Sequence, residues 1–261
     1  IGKGSPNKAG SAKAHGEPLG AEEVKLAKQA LGLPADPDFN VPESVRALFE
    51  RRNAAASRAA SRWMRRHKAA LKESPEFAAR WKAHFAPEFP DSLEAALPAF
   101  EKPTATRAAS GAVIQALAKA LPCFVGGSAD LAPSTKTWIE GSPAVQAGAF
   151  SGRNFQFGVR EHAMAAIQNG ILYYGGLRPF TATFFVFSDY LRPAARVAAI
   201  SHLPAVYVFT HDSFYVGEDG PTHEPVEHIA ALRAMPNMTV IRPADPTETG
   251  AAWLAALRNT T

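Results

Sequence analysis

The chain has 261 residues and a mass of 27.8 kDa, enough for one large domain or two ordinary ones. Hydrophobic residues make up 46% and charged residues 20%, a balance that indicates a soluble globular protein and excludes an intrinsically disordered one. The single cysteine, Cys123, excludes an intrachain disulfide framework and a cysteine-only zinc site. The uncharged stretch near the middle is too short to cross a bilayer, so we expect no membrane partner.

The net charge of +4 comes from residues 1–105, because acidic and basic residues balance over residues 106–261. Basic residues cluster between Arg51 and Lys68, separated mainly by alanines, with Trp63 as the aromatic residue among them. Surfaces that bind nucleic acids usually interleave such charges with stacking aromatic rings. We therefore interpret this run as a solvated helix face and expect no nucleic-acid partner.

The first hundred residues predict helices joined by proline-rich breaks. Residues 21–31 predict a short helix, with acidic residues in its first turn and a glycine after its last residue. A second helical stretch begins at Pro42 and continues to about Phe85. Prolines at positions 75, 87, 90 and 98 punctuate this segment, which favours a connecting arm over a compact domain.

From about Thr104 the pattern changes to alternating helices and strands. The predicted strands are 123–126, 154–157, 179–183, 205–210 and 238–242. The predicted helices are 104–121, 160–174, 186–200, 224–234 and 246–258. The apolar run of strand 205–210 is typical of a strand buried on both faces of a parallel sheet. The alternation predicts an α/β domain, a doubly wound and mostly parallel sheet flanked by helices and preceded by a helical linker.

Both ends of the sequence indicate a piece of a longer protein. The chain begins with Ile1 instead of methionine. It ends just after helix 246–258, with no strand to complete the crossover unit, which would leave a sheet edge open. We therefore expect the chain to be truncated at both ends.

Three polar loops follow predicted strands, and we expect all three at the rim where ligands of such sheets bind. They are Gly126–Ser134, Gly158–His162 and Thr210–His223. Glu161 lies on the first turn of an otherwise apolar helix, which suits either a carboxylate favoured by the helix dipole or a functional acid. No metal site is predicted, because a metal needs several converging ligands and no His-Glu-x-x-His spacing occurs.

An aromatic stripe follows strand 179–183. Phe184, Phe187 and Tyr190 are spaced at i, i+3 and i+6, so that they share one helix face. Such a stripe suits either core packing or an apolar pocket for a flat heterocycle.

Taken together, these segments resemble the transketolase family, thiamine-diphosphate enzymes that move two-carbon ketol units between sugar phosphates. The resemblance rests on Gly126-Gly-Ser-Ala-Asp-Leu, Gly158-Val-Arg-Glu-His-Ala-Met, Thr210-His-Asp-Ser and Gly217-Glu-Asp-Gly-Pro-Thr-His, in this order. It implies the family's thiamine-diphosphate-binding fold. It also implies three domains: 1–33 as the end of the diphosphate-binding domain, 34–103 as the helical interdomain linker, and 104–261 as a pyrimidine-binding domain truncated at its C-terminal end.

The resemblance assigns cofactor roles to several residues. Glu161 matches the glutamate that hydrogen-bonds ring nitrogen N1′ of the aminopyrimidine, favouring the imino tautomer that takes the proton from thiazolium C2. Phe184, Phe187 and Tyr190 match the pocket around the pyrimidine ring. Asp130 matches a residue that lines the cofactor at the subunit interface. The Mg²⁺ ligands of the family are expected outside this chain.

The resemblance also assigns substrate roles. Arg107, Ser134 and His211 match groups that bind the sugar phosphate. Asp219 and His223 match groups that hold the ketose hydroxyls and the reacting oxygens. His15 matches a histidine that touches both the cofactor diphosphate and the substrate. The catalytic residues implied are thus Glu161, His15 and His223.

The implied activity is ketol transfer from xylulose 5-phosphate to ribose 5-phosphate or erythrose 4-phosphate through a thiamine diphosphate carbanion. The resemblance implies a cytoplasmic homodimer of the pentose phosphate pathway, with each active site between subunits, so that this chain alone is inactive. Dihydroxyacetone synthase, deoxyxylulose-phosphate synthase and a non-catalytic transketolase-like module remain as alternatives.

Overall fold

The computed structural model describes residues 1–85 and 89–259. The chain divides into two compact units, Ile1–Glu73 and Ser74–Thr261. Within the described residues, no helix is long and apolar enough to span a bilayer.

Helices alternate with strands through most of the second unit. The helices are α1 (Lys13–Gly16), α2 (Ala21–Ala30), α3 (Glu43–Glu73), α4 (Pro75–Phe85), α5 (Thr106–Ala120), α6 (Ala132–Thr135), α7 (Glu161–Tyr174), α8 (Ser188–Ile200), α9 (His228–Arg233) and α10 (Pro246–Arg258). The strands are β1 (Phe124–Ser128), β2 (Asn154–Gln156), β3 (Arg178–Phe184) and β4 (Val206–Thr210). Short 3₁₀ turns cover Asp91–Ala96, Phe185–Phe187, Phe214–Val216 and Pro221–His223.

The first unit contains α1, α2 and the long helix α3. Glu23 on α2 is buried, and its carboxylate accepts hydrogen bonds from the Ser5 hydroxyl and from the side-chain and backbone N–H groups of Asn7. The hydrogen bond from Ser5, followed by those from Asn7, lowers the pKa of Glu23. These bonds attach the irregular N-terminal segment to α2.

The second unit is built on a parallel sheet of four strands in the order β2-β1-β3-β4. Parallel neighbours need crossover connections, and the helices between the strands provide them. The predicted α/β fold, with a parallel sheet flanked by helices, is confirmed.

One face of the sheet packs against α5 and α10. Phe124 of β1 and Phe180 of β3 stack at 5.0 Å between ring centroids, and Trp253 of α10 meets both rings edge-on. The indole Nε1 of Trp253 donates to Ser110 Oγ on α5 at 2.9 Å, so its polar atom is satisfied inside the core. Burial of each such ring contributes about 1.5–3 kcal/mol.

The other face packs against α7 and α8. Successive residues of a strand point to opposite faces, so Thr181 faces away from the layer that contains Phe180. Thr181 Oγ1 donates to Gln168 Oε1 on α7 at 2.6 Å. Gln168 Nε2 in turn donates to the carbonyls of Pro179 and Val206 at 3.2 and 3.0 Å. A buried polar side chain thus fixes α7 across strands β3 and β4.

Strand 238–242 was predicted wrongly, because this described segment forms no strand. Met238 and Val240 instead pack against the buried cluster that contains Phe185 and Leu232. The apolar alternation of this segment therefore reflects side-chain packing without strand pairing.

Two further predictions need correction. Residues 206–209 of β4 are half-buried, not buried on both faces, because β4 is the outermost strand of the described sheet. Helix 224–234 is shorter than predicted, since α9 begins only at His228. The residue before a proline is disfavoured from helical conformation, and Glu224, which precedes Pro225, is extended.

Candidate active site

The carboxyl ends of the strands carry most of the residues predicted from the sequence. Asp130 follows β1, Glu161 follows β2 at the start of α7, Phe184 ends β3, and His211 follows β4. Because the strands are parallel, these four positions lie at one edge of the sheet. The prediction that the polar loops open on one rim is confirmed for these positions.

Glu161 is the first residue of α7 and is only 5% exposed. The helix N-terminus favours a negative charge there. Thr183 Oγ1 on β3 donates to Glu161 Oε1 at 3.5 Å, the long limit of a hydrogen bond. A carboxylate can accept about four hydrogen bonds, so Glu161 keeps acceptor capacity for a ligand.

Four rings form an aromatic–histidine cluster, defined by Phe184, Phe187, His211 and His223. Phe184 and Phe187 stack at 6.1 Å with 13° between their planes. The ring centroid of His211 lies 3.8 Å from that of Phe184. His223 meets Phe187 edge-on, with 5.2 Å between the ring centroids. Tyr190 adjoins Phe187 at 6.1 Å but is 65% exposed.

The prediction that the aromatic stripe shares one helix face was wrong. Phe184 ends β3, Phe187 belongs to a 3₁₀ turn, and Tyr190 belongs to α8. Phe184 is the extended residue directly before this turn, and its ring stacks on that of Phe187 across the junction of β3 and the turn.

His211 connects the cluster to a cationic group. Arg107 Nη1 donates to His211 Nε2 at 3.3 Å, and Thr210 Oγ1 lies 2.9 Å from His211 Nδ1. Because arginine only donates, Nε2 is the acceptor and Nδ1 carries the proton. Partial burial, followed by the Arg107 charge, lowers the pKa of His211, while the Asp219 carboxylate acts in the opposite direction.

One cavity of about 960 Å³ brings together much of the predicted substrate set. The predicted site residues that line it are Arg107, Ser134, Phe184, His211 and Asp219. Arg107 has five N–H donors and uses one of them on His211, so donors remain for an anionic ligand. The mixture of a guanidinium, hydroxyl and carboxylate suits a ligand that combines an anion with hydroxyl groups.

Asp130 lies apart from this cavity, on a second one of about 860 Å³ that Lys136 and Trp138 also line. Its φ of 59° is in the left-handed region, which aspartate adopts more readily than most residues. The structure therefore does not gather Asp130 with the predicted substrate residues.

The glycines of the first signature belong to a strand and not to the loop predicted for them. Gly126 and Gly127 lie inside β1, and the loop begins only after Ser128. A Cβ on Gly127 would lie 1.8 Å from the carbonyl oxygen of Phe155 on β2, and one on Gly126 would meet the Phe180 ring. Close packing within the sheet accounts for both glycines.

His15 lies in the first unit, on α1, and its side chain is exposed.

Sequence reasoning missed three polar residues at this edge. Thr183 donates to Glu161, as described above. Arg242 Nε donates to Asp212 Oδ2 at 2.6 Å, which anchors the loop directly after His211. Asp212 lies in the Thr210-His-Asp-Ser motif, but its partner Arg242 is 30 residues away and belongs to no motif, so only the fold brings them together.

Comparison with known proteins assigns this chain to a protein family. Residues 102–261 match the family described as "Transketolase, pyrimidine binding domain", which covers more than half of the chain. The chain belongs to the transketolase family. Residues 1–90 match a second family, "Transketolase, thiamine diphosphate binding domain".

Curated transketolases are similar over the full length of this chain. The chain is 53% identical to the transketolase of Geobacillus stearothermophilus and 50% identical to that of Bacillus subtilis. All of the chain is covered in both comparisons, but only 39% of each relative. The chain therefore spans about two fifths of the length of these relatives.

Solved transketolase structures share the fold. The Leishmania mexicana enzyme superposes with a TM-score of 0.88 and 43% identity, over 99% of this chain and 39% of that one. A Pichia stipitis transketolase in complex with sedoheptulose-7-phosphate superposes with a TM-score of 0.83 and 37% identity, over 94% of this chain and 37% of that one.

The residues at the sheet edge fit the cofactor named by the second family description. Thiamine diphosphate contains a flat aminopyrimidine ring. The stacked rings of Phe184 and Phe187 provide an aromatic surface for such a ring. The buried Glu161, with spare acceptor capacity, can accept a hydrogen bond from a protonated ring nitrogen. The chemistry of this donor and acceptor set therefore agrees with the cofactor.

Proposed function

We propose that this chain supplies the pyrimidine-binding half of a transketolase active site, in which the full-length protein transfers two-carbon ketol units between sugar phosphates. The observation that carries the proposal is the buried Glu161 at the same sheet edge as the aromatic–histidine cluster. The 53% identity to a transketolase supports it.

Glu161 and the aromatic rings serve the cofactor in this proposal. The chemistry that thiamine diphosphate supplies when bound is a nucleophilic carbon, C2 of its thiazolium ring. Glu161 would exchange a proton with ring nitrogen N1′, and its burial excludes competing water. Phe184, Phe187 and Tyr190 orient the pyrimidine ring so that this proton exchange has a fixed geometry.

Arg107, Ser134 and His211 serve the sugar phosphate. The remaining N–H donors of Arg107 suit a dianion, and His211 adds a polar ring beside them. Asp219 lines the same cavity and His223 belongs to the adjoining cluster, so both suit the ketose hydroxyls and reacting oxygens. The Pichia stipitis transketolase is in complex with sedoheptulose-7-phosphate, which supports sugar phosphates as the substrates here.

The remaining assignments extend the proposal to the whole protein. We assign residues 1–33 to the end of the diphosphate-binding domain, 34–103 to the linker and 104–261 to the pyrimidine-binding domain. The full-length protein is a cytoplasmic homodimer of the pentose phosphate pathway that uses Mg²⁺ held outside this chain. His15 contacts the cofactor diphosphate and the substrate, and Asp130 lines the cofactor at the subunit interface.

The decisive experiment is an assay of ketol transfer from xylulose 5-phosphate to ribose 5-phosphate by the full-length protein, with thiamine diphosphate and Mg²⁺. We expect turnover in the wild type. In Glu161→Gln we expect a loss of roughly 10²–10⁴-fold in kcat, because the side chain can no longer exchange a proton. The control Glu76→Gln alters an exposed carboxylate in the first turn of α4 and keeps full turnover.

The same assay separates the alternatives. Unchanged turnover in Glu161→Gln removes this residue from the chemistry. A clear preference for formaldehyde over ribose 5-phosphate as acceptor indicates dihydroxyacetone synthase. Absence of transfer to either acceptor, at saturating cofactor, indicates a deoxyxylulose-phosphate synthase or a non-catalytic relative.

A further inference from the structure

A cluster of three side chains joins α8 to α9 and has no role in the proposed active site. Asp189 lies in the first turn of α8, while Glu227 and His228 lie at the start of α9. One ligand atom from each residue lies within 4.8 Å of the other two. Asp189 and His228 are 39 residues apart, so no sequence spacing indicated this group.

His228 is the buried member of the cluster, with an exposed fraction of 5%. Its Nε2 lies 3.1 Å from Asp189 Oδ2. A carboxylate accepts and does not donate, so Nε2 carries the proton of this hydrogen bond and the lone pair of a neutral ring lies on Nδ1. In the described structure Nδ1 is buried and has no hydrogen-bond partner, which needs a physical explanation.

The surroundings of Nδ1 indicate a cation. Glu227 Oε2 lies 3.9 Å from Nδ1, too far for a hydrogen bond. Nδ1 of a neutral His228 ring and Glu227 Oε2 are both hydrogen-bond acceptors, so neither can satisfy the other. A zinc ion binds nitrogen and oxygen ligands at about 2.0–2.2 Å, and its tetrahedral geometry places two such ligand atoms about 3.3–3.5 Å apart. The 3.9 Å gap is slightly wider, so a small rotation of the exposed Glu227 side chain brings both atoms to bonding distance of one ion.

We propose that His228 Nδ1 and Glu227 Oε2 bind a divalent transition-metal ion of the zinc type. Asp189 orients the ligating ring through Nε2–H, as carboxylates commonly do behind metal-bound histidines. The ion is held at the start of α9, and the Asp189–His228 hydrogen bond links that site to the start of α8. Asp189 and Glu227 are 55% and 74% exposed, so water completes the coordination and the ion exchanges with solvent.

The donor set also selects the kind of ion. Imidazole nitrogen suits zinc and its neighbours in the transition series, whereas Mg²⁺ prefers an all-oxygen shell. Millimolar Mg²⁺ should therefore not compete for this site. This difference separates the site from any Mg²⁺ bound with the cofactor.

The test is isothermal titration of the chelator-treated protein with Zn²⁺ in the presence of millimolar Mg²⁺. We expect one equivalent of zinc to bind through this cluster. Glu227→Gln and His228→Asn each remove a ligand and should weaken this binding at least about tenfold, and Asp189→Asn should weaken it by roughly 10–100-fold. Glu227 is exposed, so Glu227→Gln tests the site without disturbing the core.

His202→Asn is the matched control, because His202 is exposed and has a φ of 52°, which asparagine also adopts. This variant should bind zinc like the wild type. Equal zinc binding by the wild type, Glu227→Gln and His228→Asn overturns the proposal. It is also overturned if ¹⁵N NMR shows that both ring nitrogens of His228 stay protonated when zinc is added.

Discussion

His211 and Asp130 have an uncommon backbone conformation, with φ of 56° and 59°. Few residues other than glycine adopt this left-handed region, which costs about 1 kcal/mol. Each residue closely follows a strand end at the sheet edge. Around His211 the strain is balanced by bonds to Arg107 and Thr210 and by the anchoring of Asp212 to Arg242. Such strain is characteristic of functional positions.

The lowered pKa of His211 makes a testable contribution to stability. Its pKa in the folded chain lies below the ordinary value of 6.5, chiefly because of burial. As pH falls below about 6.5, the unfolded chain takes up this proton first, so the free energy of unfolding decreases in that window. His211→Asn keeps a residue that tolerates the left-handed conformation and removes this part of the pH dependence. Urea unfolding between about pH 5 and 8 measures the difference.

Arg107→Ala provides the companion variant. The guanidinium 3.3 Å from His211 is the second cause of the lowered pKa, so its removal should move the pKa of His211 toward the ordinary value. NMR titration of the imidazole measures this shift. Identical pH dependence of stability in the wild type and His211→Asn would contradict the argument.

At the residue scale, the sequence motifs predicted the main candidate site residues, but the residues that contact them are seen only in the folded structure. Glu161 and His211 could be singled out because each follows a predicted strand within a recognisable polar loop. Thr183 could not, since a threonine inside a strand has the same pattern whether it packs or donates to a carboxylate. The Arg242–Asp212 pair likewise depends on long-range folding.

Helix α10 has a strong N-terminal cap, which matters because α10 carries Trp253 into the core. Asp245 Oδ1 accepts from the Glu248 backbone N–H at 2.8 Å, and Glu248 Oε2 accepts from the Ala244 N–H at 2.7 Å. Asp245→Ala removes one of these acceptors and should lower the free energy of unfolding by about 1 kcal/mol. Urea denaturation followed by tryptophan fluorescence or circular dichroism measures the loss.

Asp245→Asn is the control for this cap, because asparagine keeps a side-chain acceptor and caps helices about as well as aspartate. It should retain most of the stability that Asp245→Ala loses. An equal loss in the two variants would mean that the charge of Asp245, and not its hydrogen bond, stabilises α10.

At the element scale, periodicity predicted helices more reliably than sheet edges. Helix 246–258 was predicted with its observed bounds, since Asp245 and Pro246 mark its start. Segment 238–242 has the alternation of a strand but pairs with no neighbour, and β4 is apolar yet only half-buried. Hydrophobic alternation indicates which side chains of a segment are packed against the core. Strand pairing depends in addition on backbone neighbours that are distant in sequence.

At the scale of the whole molecule, the proposed active site needs residues from two subunits. In our proposal Glu161 acts in one subunit, and the facing His15 is contributed by the partner subunit. Each homodimer of Glu161→Gln or His15→Asn then carries a defect in both of its sites. In a mixed dimer of the two variants, one site carries both changes and the other carries neither.

Mixing the two inactive variants of the full-length protein, under conditions that exchange subunits, should therefore restore ketol transfer. Random exchange makes half of the dimers mixed, each with one intact site, so turnover should recover to about a quarter of the wild-type value. The control is a mixture in which both chains carry Glu161→Gln, which stays inactive because no site regains its carboxylate. If Glu161 and His15 of the same subunit formed each site, every site in the mixed dimer would keep one defect. No recovery after verified subunit exchange would exclude a site shared between subunits.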